Sequence, residues 1–341
     1  MYNVIRWTSI EQLRHVRAWL QSRVEVGVSA DLPDIAYRAK VKLHGTNAGV
    51  QILPDGTVVP QGRNRVLSAE DPHQGFATWV LDNRGAFAAL AQAEHTLVLY
   101  GEWCGPGIQR KVAISRIDRK VLAVYAIQRM RPGDEDDAEL LVDPDLIAAY
   151  IPDLPDLFVL PWHGAVRVLP FGDEAALARA GDAIAAEVEA VEARDPWVAE
   201  RFGVEGVGEG LVLYPVPVDG SPAGWQPREH VTRRIWKAKG LEHKVTRADR
   251  VVQIDPVVVA SIEAFVDTFV TEPRLEQAVV EVFGSASAPL DRRGMGPFLQ
   301  WIGRDVQKES QLELQAADLT WKQVGKAVGQ RARDWYLART R

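Results

Sequence analysis

The sequence predicts an α+β fold in two parts: a strand-rich domain over residues 1–248 and a small C-terminal all-α domain over 249–341. Three observations predict it. Between Tyr37 and Val216, short apolar or alternating runs recur, split by turn residues such as Pro54-Asp55-Gly56, which is the signature of strands. Runs of helical period interrupt them. From Asp255 onward the strand pattern stops, and helical stretches follow one another with capping residues at their ends.

Length and composition set bounds. A chain of 341 residues accommodates two domains, and 47% hydrophobic content supplies an ordinary core. No apolar run reaches transmembrane length, so no membrane partner is expected. The N-terminus lacks the basic-then-apolar pattern of a signal peptide. Cys104 is the only cysteine, which excludes an internal disulfide and points to an intracellular, cytoplasmic protein. A net charge of -6 argues against a generic nucleic-acid coat but leaves room for a local basic groove. No repeat at solenoid spacing is visible.

The elements follow in order. Ser9 to Arg23 carries Ile10, Leu13, Val16 and Leu20 at helical spacing, with Ser9 and Gln12 as a capping box. Strands are expected at Tyr37–Val41, Ala48–Leu53 and Thr57–Gln61, the last two joined by the Pro54-Asp55-Gly56 turn. Phe76 to Leu90 reads as a helix that Gly85 weakens. Buried strands follow at Thr96–Tyr100 and Val121–Ile127. Residues 131–160, rich in Pro and Asp, read as an acidic solvated insertion. Ala165–Leu169 is a short strand, and Asp173–Ala193 an amphipathic helix with acid in its first turn. Gly210–Val216 and Thr232–Ala238 are the last strands. Helices are expected at about 256–270, 273–283, 297–309 and 320–338; Gly284 ends the second, and Thr320 with Gln323 caps the last.

One short stretch, Lys42-Leu43-His44-Gly45-Thr46-Asn47, sits between two of these strands. A lysine closing a strand before a glycine turn can point its amine into a cleft, where it serves as a nucleophile if its neighbours keep it uncharged. In Ile235-Trp236-Lys237-Ala238-Lys239-Gly240, strand alternation puts Lys237 and Lys239 on one face. Nearby cations disfavour a protonated amine, so this pair is suited to that task. Glu102 follows the strand ending at Tyr100, Tyr125 lies within an apolar strand, and Arg63 and Arg65 follow the hairpin. Glu205-Gly206 and Glu209-Gly210 repeat one pattern; Glu209 is preferred because a strand follows it directly, with Glu205 the alternative.

Together these stretches resemble the covalent nucleotidyltransferase superfamily and, within it, the ATP-dependent RNA ligases of the RNA ligase 2 type, which carry a Lys-x-His-Gly-Thr-Asn signature. The resemblance covers about residues 35 to 245. It implies a nucleotidyltransferase domain of antiparallel sheets with flanking helices around an ATP cleft. Lys42 would attack the α-phosphate of ATP to form lysyl-AMP, with Lys237 and Lys239 on that phosphate. Glu209 and Glu102 would hold Mg²⁺ or Mn²⁺; Glu102 would alternatively contact the AMP ribose. Tyr125 would stack on adenine, and Ala126, where the family carries a polar residue, departs from the pattern. Arg63 would bind AMP or the RNA 5′-phosphate, and Asn47 and His44 would serve the second step. The backbone amide of Tyr37 or Arg38 is a further candidate for adenine.

The implied reaction seals 5′-phosphate and 3′-hydroxyl RNA ends, in RNA repair, with nicked duplex RNA the expected partner. No healing domain is legible, which leaves room for a separate end-healing kinase or phosphatase. Arg331, Arg333, Arg339 and Arg341 give the helical tail a basic end suited to phosphate contacts. Two other readings stand beside this one: a DNA or mixed-duplex ligase, and a non-catalytic nucleic-acid-binding protein on a ligase fold.

Overall fold

The computed structural model describes residues 2–134, 136–239, 262–316 and 319–340. The chain divides into two compact units, Met1–Lys239 and Gly240–Arg341. The boundary expected at 248/249 lies outside the described residues, as do the first turns of the helix expected from 256 and the terminal Arg341.

The first unit opens with α1 (Leu13–Glu25), which buries Leu13, Val16 and Leu20. It starts four residues later than its sequence suggests. Gln12 is the N-cap and makes no side-chain capping bond. The reason lies far along the chain: Glu11 runs beside Trp236, and its carbonyl accepts the Lys237 N–H at 2.8 Å. That pairing holds the backbone before α1 extended.

Strands β1 (Asp34–Lys42), β2 (Thr46–Ile52) and β3 (Val58–Gly62) follow. The β2–β3 turn closes as its sequence demands, with Gly56 at φ 81° and the Asp55 carboxylate accepting the Thr57 N–H at 2.9 Å. The expected single helix is two, α2 (Phe76–Asp82) and α3 (Arg84–Ala88), broken at Asn83, whose amide donates to the Trp79 carbonyl. β4 (Thr96–Cys104) runs four residues past Tyr100, because Glu102 and Trp103 pair with Asn47 and Thr46 of β2. Glu102 is therefore within a strand and not at its end.

β5 (Val121–Met130) is followed by β6 (Glu139–Leu141), α4 (Pro144–Ile147) and β7 (Leu157–Val159). These overturn the reading of 131–160 as a solvated insertion: Leu140, Leu141, Val142, Ile147 and Leu157 are buried, and past the exposed tip residues 131–134 and 136–137 the exposed positions, Asp145, Ala148, Ala149, Asp153 and Pro155, are scattered among them. The Pro and Asp count hid apolar residues spaced to fill a core. β8 (His163–Pro170), α5 (Glu174–Ala193, capped by Asp173), α6 (Pro196–Phe202) and β9 (Gly210–Pro215) come next. β10 (Gln226–Pro227), α7 (Arg228–Thr232) and β11 (Trp236–Lys239) complete the unit. The strand expected from Thr232 thus begins at Trp236, since residues up to Ile235 still make helical backbone bonds.

Two sheets result. One has the order β11-β9-β1-β8, and the other β10-β6-β5-β4-β2-β3 with β7 on β5. All pairings are antiparallel except β7 on β5. Consecutive strands β1 and β2 belong to different sheets, so Leu43–Gly45 is the crossover between them. The core under the second sheet includes Val50, Phe76, Phe87, Leu99, Trp103 and Val124.

The second unit is all-helical among its described residues: α8 (Ile262–Phe269), α9 (Glu272–Phe283), α10 (Met295–Glu309), α11 (Gln311–Ala316) and α12 (Trp321–Leu337). Gly284 ends α9 at φ 78°, and the Gln323 side chain accepts the Thr320 N–H at 2.7 Å. Phe265, Phe269, Phe298, Ile302, Val328 and Tyr336 form its core. Two of the basic tail residues are paired inside the unit, Arg331 with Asp267 and Arg339 with Glu272. No helix among the described residues is long and apolar enough to cross a membrane.

Candidate active site

Lys42 is the last residue of β1 and stands opposite Gly210, which in turn stands opposite Lys239 of β11. This register gathers three distant segments. The Lys42 amine lies 2.6 Å from Glu209 Oε2, the Lys239 amine 3.0 Å from Glu209 Oε1, and His44 Nδ1 3.3 Å from Glu209 Oε2. Glu209 is 2% exposed, against 21% for the Lys42 side chain. The close approach depends on Gly210, at φ 141°: a Cβ there would strike the Ala238 carbonyl and come within 2.9 Å of Lys239 Cα.

Burial opposes ionisation of Glu209, yet Lys42, Lys239 and His44 outweigh it and hold the carboxyl well below its usual range. Burial, with the Lys42 and Lys237 charges, lowers the Lys239 amine against the pull of Glu209. Lys239 thus stands close to Lys42 with the Glu209 carboxylate between them, and the Lys237 charge acts on Lys239. Glu205, the alternative acid, is exposed and bound to Arg194 at 2.6 Å.

The second sheet supplies the other wall. Glu102 Oε1 accepts the Gly45 N–H at 3.0 Å, and the Gln109 amide donates to the Gly45 carbonyl at 3.1 Å. Both sides of that residue are thus clamped. Only glycine fits: a Cβ at 45 would lie 2.5 Å from the Trp103 carbonyl oxygen and 2.9 Å from Glu102 Cγ. Asn47 donates to the Tyr125 hydroxyl at 2.6 Å. The Tyr125 ring is 8% exposed and packs on Trp7 at 5.2 Å.

Arg63 lies just past β3 and reaches Ser9 Oγ at 3.4 Å. Its charge is also felt by the Tyr125 phenol. Arg65 does not continue a strand: its carbonyl accepts the Gly62 N–H in a tight turn, and its guanidinium is taken by Asp71 at 2.7 Å. Tyr37 lies in an interior strand, opposite both Arg167 and Pro215, and its ring packs on Trp236. Three residues here were missed in the sequence. Gln109 and Trp7 carry no local signal. Lys40 does carry one, since it shares the face of Lys42 by alternation.

A groove of about 770 Å³ lined by residues including Ser9, His15, Trp19 and Arg233 contains none of these side chains; converging charge is what marks the site. Among the described residues no three His, Cys, Asp or Glu side chains converge as a metal cage. The donor set instead fits a hard cation that takes one or two carboxylates and completes its shell with phosphate oxygens and water. Glu209 and Glu102 would supply those carboxylates.

The RNA ligase family model matches residues 36–238 of this chain. No curated protein sequence matches it significantly. Among solved structures, a Naegleria gruberi RNA ligase variant with ATP and Mn aligns at 18% identity and TM-score 0.43, over 70% of this chain and 57% of that one. A second variant with AMP and Mn aligns at 16% and 0.40, over 70% and 57%. The Naegleria gruberi RNA ligase with PPi aligns at 18% and 0.42, over 69% and 56%. The chain thus spans less than two thirds of the length of these structures.

Proposed function

The chain belongs to the RNA ligase family, and from that premise we propose that it joins RNA 5′-phosphate and 3′-hydroxyl ends through a lysyl-AMP intermediate. The observation that carries the reading is the convergence of Lys42, Lys239 and His44 on buried Glu209.

In the first step Lys42 Nζ bonds to the α-phosphorus of ATP and the bond to pyrophosphate breaks. Lys239 and Lys237 stabilise charge on the α-phosphate oxygens as it builds. Lys42 has to part from Glu209 to react, and a triphosphate entering beside Lys239 competes with Glu209 for the same ammonium groups. A bound Mg²⁺ or Mn²⁺ would offset triphosphate charge, held by Glu209 and Glu102. Tyr125 and Asn47 face the nucleoside, and Arg63 the AMP or the incoming 5′-phosphate.

In the second step a 5′-phosphate oxygen attacks the AMP phosphorus, the N–P bond breaks and Lys42 is regenerated, with His44 and Asn47 beside it. In the third, a 3′-hydroxyl attacks the activated 5′-phosphate and AMP leaves. These steps need in-line placement more than a strong base. Nicked duplex RNA is the favoured substrate, a repair role and a separate end-healing partner extend the reading, and buried Cys104 suits a reducing, cytoplasmic setting.

The test is incubation with α-labelled ATP and Mg²⁺, followed by sealing of nicked RNA duplex, nicked DNA duplex and single-stranded RNA. Wild type should retain covalent label, Lys42→Ala should not, and RNA should be sealed. Label retained by Lys42→Ala sinks the lysyl-AMP reading, and sealing of DNA alone sinks the RNA assignment.

A further inference from the structure

Lys40 lies two residues before Lys42 in β1, and its side chain is wholly buried. An ammonium in such a place is costly unless something needs its hydrogen bonds. What it meets is an irregularity in the opposite sheet. The β4–β5 ladder pairs Tyr100 with Ala126 and then Gly101 with Val124, skipping Tyr125. Tyr125 is likewise absent from the pairings of β5 with β6 and with β7. It is a bulged residue, and a bulge re-aims its side chain and leaves the extra residue outside the ladder.

Lys40 Nζ donates to the carbonyl of that residue at 2.8 Å. The amine is bracketed by the rings of Trp162 and Tyr214, at 4.9 and 5.2 Å. Trp162 Nε1 in turn donates to buried Asp143 at 3.3 Å. On the far side of the bulge, the Tyr125 hydroxyl accepts from Asn47 at 2.6 Å. A chain of contacts therefore leaves the strand that ends in the nucleophile, crosses to the second sheet at Tyr125, and returns to the strand that leaves the nucleophile loop.

We propose that Lys40 is a positioning residue for the nucleoside end of the ATP site, fixing the bulge at Tyr125 and, through its hydroxyl, the amide of Asn47. The inference rests on the reading above that Tyr125 and Asn47 meet the nucleoside. It separates two parts of one ligand. The triphosphate end is met by Lys42, Lys237 and Lys239, which do not depend on the bulge; the nucleoside end does.

The test compares Kd for ATP and for inorganic tripolyphosphate in wild type, Lys40→Met, Tyr125→Ala and the double variant, with melting temperatures alongside. Methionine fills the same slot without a donor. Lys40→Met should weaken ATP about tenfold, the scale of one buried hydrogen bond, leave tripolyphosphate within about twofold, and add nothing in the Tyr125→Ala background. Unchanged ATP affinity in Lys40→Met overturns the assignment, and so does equal weakening of both ligands, which would mark a merely structural lysine. Wild type that binds tripolyphosphate but not ATP overturns the nucleoside reading together with it.

Discussion

The buried Glu209 carboxylate lies 2.6 Å from the Lys42 amine. The residue expected to attack phosphorus is thus held by an anion, and that anion is shared with Lys239 and His44. Replacing Glu209 with Gln keeps the volume and removes the charge. Two poorly hydrated ammonium groups then lose their compensation, and stability at pH 7 should fall by up to about 3 kcal/mol. Because the Glu209 pKa is depressed on folding, its contribution is complete above about pH 4.5 and is lost as pH falls through the folded value. Denaturant melts of both proteins at pH 7 and pH 4 should therefore differ more at pH 7. An equal gap at both would show that the carboxylate's charge is not what stabilises the triad.

How far this site was legible can be argued from single residues. Lys42, Glu209, Lys237 and Lys239 were singled out because each lies beside a strand signal in a short motif, and the pairing of Lys42 and Lys239 with Gly210 brings three of them together. Sequence preferred Glu209 to Glu205 only on the strand that follows it; burial and partners separate them, since Glu209 is buried against Lys42 and Lys239 and Glu205 is exposed on Arg194. The start of α1 was misplaced because local capping chemistry at Ser9 lost to pairing of Glu11 beside Trp236, a contact across more than 200 residues. The segment 131–160 was misread because composition averages over a pattern, hiding Leu140, Leu141 and Ile147 among acids. The bulge at Tyr125 depends on register between two strands, which neither strand encodes alone.

Gly45→Ala should be among the most damaging small substitutions in the first unit. The added methyl would sit 2.5 Å from the Trp103 carbonyl oxygen and 2.8 Å from Cys104 Cβ, inside a strand rather than against a flexible tip. The crossover must then move away from β4, breaking the Gly45 N–H bond to Glu102 and shifting Lys42 and His44 with it. Lysine adenylylation should drop by at least about 100-fold, the scale of a misplacement near 1 Å. A labelling assay that finds near wild-type rates would show that the clamp on Gly45 does not set the nucleophile.

Lys40 gives stability a pH dependence of definite sign. Burial, partly opposed by Asp143, brings its amine from 10.5 down to about 7. Between those values the unfolded chain binds the proton and the folded one does not, so stability rises with pH, by at most about 1.4 kcal/mol per pH unit. Below pH 7 both states are protonated and the dependence vanishes. Melts of wild type and Lys40→Met at pH 6, 7, 8 and 9 isolate this residue. The difference should be flat from 6 to 7 and then move in favour of wild type. A difference that stays constant to pH 9 would mean that Lys40 keeps its proton throughout.

A truncation ending at residue 250 tests the division of labour between the two units. Lys42, Glu102, Glu209, Lys237 and Lys239 all belong to Met1–Lys239, and that unit has a core of its own around Val50, Phe76 and Leu99. The helical unit has a separate core around Phe265, Phe298 and Tyr336, and two of its tail arginines, Arg331 and Arg339, are paired with Asp267 and Glu272. On the proposed reaction, nucleotide chemistry on Lys42 would need only the first set of residues, whereas the later steps would have to hold two RNA ends in line while AMP leaves. The truncated chain should take up label from ATP at a rate within about tenfold of wild type, yet seal a nicked RNA duplex poorly. Adding pre-adenylylated RNA separates the cases, because it bypasses the lysine. If the truncated chain seals that substrate as well as the full chain does, the helical unit has no part in the later steps.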